Sequence, residues 1–129
     1  MNYLLDLHTQ KKLKSPTKPI TDEYSYHMPC HLYAVADGTV SIKLLQDLCG
    51  VKVTDLEAGC CGLAGTFGMQ KKNYELSSQI AASLIAALEK SHTKNVLTEC
   101  AACGMQIEHI SDKRVTHPVK VISRAYALL

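Results

Sequence analysis

Five of the six cysteines in this 129-residue chain are spaced in a way that could bind metal or support redox chemistry. The adjacent pair Cys60 and Cys61 stands between a single Cys30 and the motif Cys100-Ala-Ala-Cys103. Thiolates are preferred ligands of zinc and of iron–sulfur clusters, and two cysteines separated by two residues can hold one metal. The first residues lack the basic segment of a secretory signal, so we expect reduced thiols that bind metal or react, rather than disulfides.

The residues alone leave three kinds of thiol site open. A structural zinc ion takes four thiolates, which is one fewer than the five thiols in this pattern. Adjacent side chains diverge, so Cys60 and Cys61 are easier to place on two metals of an iron–sulfur cluster than on one ion. A thioredoxin-type redox pair at Cys100 and Cys103 would leave the other three cysteines without a role.

The spacing of apolar residues places the cysteines after predicted strands of an α/β domain. Strands are predicted at 25–30, 51–56, 95–99 and 114–117, and helices at 2–12, 39–49, 73–90, 101–110 and from Pro118 onward. This alternation favours parallel crossovers, so we expect a small four-stranded, mainly parallel sheet with helices on both faces. The predicted strand order is 2-1-3-4, the flavodoxin-like form of a Rossmann-like fold. The cysteines are then expected to meet at the carboxyl edge of the sheet, where such folds bind ligands.

Two helices carry apolar residues at helical spacing, which predicts the faces they bury. In the helix predicted at 73–90, with Asn73 as its cap, the stripe is Leu76, Ile80, Leu84 and Leu88. In the last helix, the stripe is Val119, Ile122, Tyr126 and Leu129.

The composition of the chain limits the class of protein. There are 14 Lys and Arg residues against 12 Asp and Glu, a net charge of +2, with one Phe and no Trp. Nucleic-acid binding is therefore not expected, because it relies on basic surfaces and aromatic stacking. No apolar run reaches the ~18 residues of a transmembrane segment. We predict an N-terminal helix and connector at 1–22, followed by one domain at 23–129.

Four segments around the cysteines resemble a known family. They are YHMPCH (26–31), GCCGLAGTFGMQKKNY (59–74), TECAACGMQIEH (98–109) and HP (117–118). The pattern is similar to the cysteine-rich CCG domain of heterodisulfide reductase, which also occurs in iron–sulfur subunits of glycolate oxidase and anaerobic glycerol-3-phosphate dehydrogenase. It is most similar to the second CCG repeat of the glycerol-3-phosphate dehydrogenase type, over about 24–129. Since the family usually carries two such domains behind ferredoxin-like motifs, we expect a C-terminal part of a longer protein.

The resemblance implies a cofactor and its ligands. In this family the domain holds a non-cubane [4Fe–4S] cluster, or zinc in some members. Carried over by position, the implied ligands are Cys30, Cys60, Cys61, Cys100 and Cys103. Cys49 matches no family position and is interpreted as a small packed hydrophobic residue.

The implied function is electron transfer within a multi-subunit oxidoreductase. Electrons from a flavin-containing subunit that oxidises glycerol 3-phosphate or a 2-hydroxy acid would pass through this domain to quinone or another acceptor at the membrane. The expected location is cytoplasmic, at the inner face of the cell membrane. The alternatives are a zinc-stabilised structural or interaction module and a thiol–disulfide site of the heterodisulfide reductase type.

Glycines and histidines near the cysteines are further candidates for cofactor binding. Gly59, Gly62 and Gly65 could bring backbone N–H groups to the cluster sulfurs, although a flexible loop explains the same glycines. His27, His31 and His117 could support the cluster or carry protons, although a purely structural role explains each of them as well.

Overall fold

The sheet has the strand order predicted from the sequence. In the computed structural model, which describes residues 1–128, the strands are β1 (Tyr24–Tyr26), β2 (Val53–Asp55), β3 (Asn95–Leu97) and β4 (Arg114–Thr116). Every pairing among them is parallel, and the order is β2-β1-β3-β4. Tyr26 of β1 is paired with Asp55 of β2 and with Leu97 of β3. Because these three strands end side by side, their carboxyl ends form one edge of the sheet.

Helices occupy the segments between the strands and both ends of the described chain. They are α1 (Asn2–Thr9), α2 (Cys30–Val35), α3 (Val40–Cys49), α4 (Tyr74–Ile80), α5 (Ala82–Lys90), α6 (Ala101–Ile110) and α7 (Pro118–Ala125). Two short 3-10 helices, Phe67–Met69 and Lys71–Asn73, precede α4. No helix within residues 1–128 combines the length and the apolar character needed to cross a membrane.

The sheet separates two hydrophobic cores, so helices cover both of its faces as predicted. The core on the side of α3 and α7 contains Tyr24, Tyr26, Leu44, Leu45, Val51, Val53, Leu97, Val121 and Ile122. The core on the side of α5 and α6 contains Cys61, Leu63, Leu84, Leu88, Val96, Cys103 and Ile107. The adjacent residues Val96 and Leu97 serve opposite cores because successive side chains of a strand point to opposite faces.

Gly50 and Pro118 mark helix boundaries that the sequence predicts. Gly50 follows α3 with a φ of 64°, in the left-handed region that glycine adopts without strain. Pro118 opens α7, where a proline loses no helical hydrogen bond. The residue before it, His117, caps this helix, because its Nδ1 accepts the Val119 N–H at 3.0 Å.

The predicted helix over 73–90 is two helices, and part of its predicted apolar stripe was wrong. Leu76 and Ile80 are about half exposed, at 49% and 45%, whereas Leu84 and Leu88 are buried. A step of four residues turns about 40° beyond a full turn of helix, so repeated steps of four drift around the helix. The buried line instead uses steps of four, three and four, and it consists of Ser77, Ala81, Leu84 and Leu88.

Other sequence predictions at the helices are met in part. Asn73 stands at the predicted cap position of α4, but its side chain donates to the Phe67 carbonyl oxygen at 3.0 Å and makes no cap bond. In α7, Ile122 is buried as predicted, whereas Val119 is 42% exposed. Leu129, the last residue of that predicted stripe, lies outside the described residues.

The short helix α2 was not predicted. Its Tyr33 and Val35 are 78% and 80% exposed, and the helix buries none of its residues, so its sequence shows no amphipathic period.

The N-terminal segment is tied to the rest of the chain. Leu4 and Leu5 of α1 pack against the first core, and the N–H of Thr17 donates to the Ala125 carbonyl oxygen at 3.0 Å.

Candidate functional site

Five cysteines lie just beyond the carboxyl ends of β1, β2 and β3. Cys30 is the first residue of α2, after β1, and Cys60 and Cys61 lie in the segment that follows β2. After β3, Cys100 is the N-cap of α6 and Cys103 lies in the first turn of that helix. The convergence of these cysteines at one edge, which the sequence predicted, is therefore observed. Their role as metal ligands is a separate matter and stays a prediction.

The five thiols form a continuous row of side-chain contacts. Cys30 is in hydrogen-bonding contact with Cys60, and Cys60 with Cys61. Cys61 contacts Cys103 in turn, and Cys103 contacts Cys100. None of the six cysteines in the chain forms a disulfide. No three Cys, His, Asp or Glu side chains among residues 1–128 surround one point as a site for a single metal ion.

The row is exposed at its Cys30 end and is buried at its centre, in the second core. Cys30 is exposed, and Cys60 and Cys100 are half-buried. Cys61 and Cys103 keep only 4% and 3% of their surface exposed. A group bound along the row would thus be held at the buried centre by core residues and reached from solvent at the Cys30 end.

Hydrogen bonding gives neighbouring thiols opposite acidities. The Cys103 thiol donates a hydrogen bond to Cys61. This bond, together with one from the Leu63 N–H, lowers the pKa of Cys61 to about 6. The same contact, together with burial, raises the pKa of Cys103. Burial also raises the pKa of Cys60, against the effect of the Gly62 N–H. Because the thiolate is the form that binds metal, Cys61 is the thiol most nearly ready to bind one at neutral pH.

Backbone N–H groups point at two of the sulfur atoms. The Gly62 N–H donates to Cys60 Sγ at 3.3 Å, and the Cys103 N–H donates to Cys100 Sγ at 3.4 Å. Hydrogen bonds of this kind stabilise thiolate charge and adjust the reduction potential of metal clusters.

Of the other two predicted glycines, the Gly59 N–H donates to Ser83 Oγ at 3.2 Å rather than to a sulfur. Gly65 has a φ of 69° and open space around its Cα.

Gly62 is also the point at which the cysteine segment is packed against α4. A Cβ at Gly62 would lie 2.1 Å from the Ser77 carbonyl oxygen, and the φ of Gly62 is 85°. A Cβ at Gly68 would lie 2.4 Å from Ser77 Oγ. Only glycine allows this approach, so Gly62 is needed for packing as well as for its bond to Cys60.

The three predicted histidines have different surroundings. His27 follows β1 and is 1% exposed, and both of its ring nitrogens lack a hydrogen-bond partner within the described chain. Burial lowers the pKa of His27, opposed by the carboxylates of Asp55 and Glu99. His31 is exposed on α2. His117 is occupied as the cap of α7.

A partly buried network beside Cys100 was not predicted from the sequence. The carboxylate of Glu99 accepts the Tyr26 hydroxyl at 2.8 Å and also accepts the Ser41 hydroxyl. Burial and this bond raise the pKa of Tyr26. The network links β1, α3 and the residue before Cys100. A charged residue two positions after an apolar strand, and directly before a cysteine, was the available signal for Glu99.

The sixth cysteine is remote from the row. Cys49 ends α3 and packs, half-buried, against the first core on the other face of the sheet. Burial raises the pKa of its thiol. This placement agrees with its interpretation as a packed hydrophobic residue.

The donor set suits soft metals. Thiolates are the ligands of zinc and of iron–sulfur clusters, and this edge offers a row of five neighbouring thiols, with N–H groups aimed at two sulfurs. A short parallel α/β domain that gathers cysteines from three strand ends is thus a cysteine-rich type of domain, and its donors suit a metal or iron–sulfur cofactor.

The family follows from comparison with known proteins. Residues 24–108 match the cysteine-rich domain called CCG, and the chain belongs to this family. An anaerobic glycerol-3-phosphate dehydrogenase subunit from Escherichia coli (strain K12) is 37% identical over 112 residues, which are 87% of this chain and 28% of that protein. The chain therefore spans less than a third of this relative. No solved structure matches the chain closely.

A second group of relatives is more distant. D-2-hydroxyglutarate dehydrogenase of Escherichia coli (strain K12) is 32% identical over 74 residues, which are 57% of this chain and 7% of that protein. The protein of the same name from Pseudomonas putida is 30% identical over the same length. These relatives are oxidoreductases by name. A metal or iron–sulfur cofactor in the cysteine-rich domain agrees with the occurrence of this family in oxidoreductases.

Proposed function

We propose that this chain is an iron–sulfur electron-transfer domain of a larger, flavin-linked oxidoreductase. The observation that carries the proposal is the row of five neighbouring thiols at the carboxyl edge of the sheet. Five soft donors exceed the four that a tetrahedral zinc site uses, and they suit a cluster with several metal atoms.

Each part of the row has a distinct task in this proposal. The ligands are Cys30, Cys60, Cys61, Cys100 and Cys103, and the group is a non-cubane [4Fe–4S] cluster. When bound, such a cluster accepts and releases one electron at a time. The N–H groups of Gly62 and Cys103 stabilise the sulfur charge, and the core around Cys61 excludes water from the centre of the row.

The family and its relatives support a proposal about the partners. We propose that a flavin-containing dehydrogenase subunit, acting on glycerol 3-phosphate or a 2-hydroxy acid, supplies the electrons, and that a quinone receives them. The complex would then work in the cytoplasm at the inner face of the membrane. The chain itself is proposed to carry electrons, and the flavin subunit to carry out the substrate chemistry.

Metal reconstitution tests this proposal directly. We expect the chain, loaded anaerobically with iron and sulfide, to bind about four Fe with visible absorption. Cys61→Ala is expected to lose most of this iron, because Cys61 lies at the buried centre of the row. Cys49→Ala is the matched control and is expected to retain it. Binding of zinc alone, without iron uptake, would overturn the proposal in favour of a structural zinc module.

A further inference from the structure

A cavity of about 360 Å³ lies at the amino edge of the sheet, on the side of α7. The polar residues of its lining include Asp22, Tyr24, Asn95, Arg114, Lys120 and Arg124, and none of the five clustered cysteines lines it. The thiols follow the last residues of β1, β2 and β3, whereas this cavity is bordered by the first residues of β1, β3 and β4. The cavity is therefore separate from the site at the carboxyl edge, and its volume suits a small ligand.

The register of the sheet explains how the cavity forms. Tyr24, Asn95 and Arg114 each begin a strand and are paired side by side. Side chains of paired residues in neighbouring strands point to the same face, and Tyr24 belongs to the core on the side of α3 and α7. Asn95 and Arg114 therefore point to the face that α7 covers. Lys120 and Arg124 of α7 are about one helical turn apart, so cations from two elements converge on one cavity.

Contacts with Tyr24 and Asp22 hold one of these cations in place. Arg124 Nη2 donates to the Tyr24 hydroxyl at 2.5 Å, and Arg124 Nη1 lies 3.9 Å from Asp22 Oδ2. Tyr24 is only 2% exposed, so the guanidinium is anchored on a buried side chain. Arg114 and Lys120 are exposed and form no ion pair within residues 1–128. One anchored and two unpaired cations therefore border the cavity.

The charge of the lining selects the class of ligand. Three cations and the carboxylate of Asp22 leave the described lining with a net charge of +2. Such a lining attracts an anion, and a guanidinium group binds phosphate oxygens through paired N–H donors. The dianion of a phosphomonoester matches this charge, whereas a single carboxylate neutralises only half of it. The side-chain amide of Asn95 offers a further, neutral donor.

We propose that this cavity binds a phosphate group, carried either by a small phosphorylated metabolite or by the headgroup of an acidic phospholipid. Arg114 and Arg124 contact the phosphate oxygens from the sheet and from the helix, and Lys120 adds a third positive charge. Because the bound group would bridge β4 and α7, binding is expected to stabilise the folded chain. The assignment goes beyond the proposed electron-transfer function and needs no bound cluster.

Calorimetric titration of the reduced, metal-free chain tests the assignment, with inorganic phosphate and glycerol 3-phosphate as probes at constant ionic strength. We expect saturable binding that Arg114→Gln and Lys120→Gln each weaken about tenfold, through loss of a charged donor. Asp22→Asn is expected to strengthen binding about threefold, because it removes a carboxylate from the lining. Lys90→Gln is the matched control, since Lys90 is an exposed lysine of α5 outside this cavity.

Thermal unfolding separates loss of binding from loss of the fold. Glycerol 3-phosphate is expected to raise the unfolding temperature of the unmodified chain and of Lys90→Gln, and to raise that of Arg114→Gln much less. Without ligand, the three proteins are expected to unfold at similar temperatures, because both substituted residues are exposed. Iron uptake by Arg114→Gln is expected to be unchanged, so failure of the phosphate site leaves the cluster proposal unaffected.

Vesicles identify the source of the phosphate group. Binding of glycerol 3-phosphate without sedimentation on vesicles indicates a small phosphorylated ligand. Sedimentation with vesicles of phosphatidylcholine and phosphatidic acid, but not of phosphatidylcholine alone, indicates a lipid headgroup if Arg114→Gln prevents it. The assignment is overturned by the absence of both kinds of binding, by binding that Arg114→Gln and Lys120→Gln leave unchanged, or by acetate that binds as tightly as phosphate.

Discussion

Burial separates two enclosed thiols from the other three of the cluster, which are exposed or half-buried. Cys30 and Cys60 border a cavity, while Cys61 and Cys103 belong to the second core. The position of these cysteines at one edge could be predicted, because parallel strands that end in register bring their following residues together. Their individual acidities could not, because the low pKa of Cys61 depends on a contact with Cys103, 42 residues further along the chain.

The acidity of Cys61 predicts a pH-dependent stability for the reduced, metal-free chain. In the folded chain Cys61 loses its proton near pH 6, whereas in the unfolded chain it keeps the proton up to its ordinary value near 9. The unfolded state thus binds more protons between these values, so this contribution to stability is full above pH 9 and is lost as the pH falls to 6. We expect the free energy of unfolding in urea, measured with reductant and chelator, to increase from pH 6 to 9.

Two variants identify the source of this increase. Cys103→Ala removes the main hydrogen-bond donor to Cys61, so the increase is expected to shrink. Cys49→Ala is expected to keep it, because the pKa of Cys49 is raised and its contribution lies above pH 9. An unchanged increase in Cys103→Ala would show that the Cys61–Cys103 contact does not set the acidity of Cys61.

Among the elements, sequence signals located helix ends better than helix faces. Gly50 and Pro118 act through their own backbone, so their effect can be predicted without knowledge of the fold. The inward face of α4 is set instead by the contact of Ser77 with Gly62 and Gly68, and these glycines lie in the preceding segment. The apolar Leu76 and Ile80 therefore misled the prediction, since the buried line passes through a serine.

The same contact predicts unequal costs for two glycine substitutions. Gly62→Ala adds a methyl group 2.1 Å from the Ser77 carbonyl oxygen at a φ of 85°, so strain and overpacking act together. We expect a loss of about 3–4 kcal/mol in the free energy of unfolding. Gly65→Ala has a similar φ of 69° but open space, so a loss of about 1–2 kcal/mol is expected. Equal losses in urea unfolding would contradict the packing role of Gly62.

At the scale of the whole molecule, one side of the sheet is built for stability and the other also supports the site. The core between the sheet and α3 with α7 contains none of the five clustered cysteines. The core on the side of α5 and α6 contains Cys61 and Cys103. The strand order could be predicted because alternating strands and helices allow few topologies. The link between the second core and the thiols could not, because it depends on which cysteines the segments bury.

This division predicts where metal binding protects the backbone. A bound cluster would join segments that follow three strands, so opening any one of them would require the loss of a metal–thiolate bond. We expect iron loading to slow amide hydrogen exchange in 59–70, in α2 and in the first turn of α6. Exchange in α3 is expected to stay unchanged, because α3 packs on the opposite core and carries only Cys49. Mass spectrometry of loaded and metal-free chains checks this, with Cys61→Ala as the control that gains no protection. Uniform protection of α3 and 59–70 would show instead that metal stabilises the fold globally, with no distinction between the two cores.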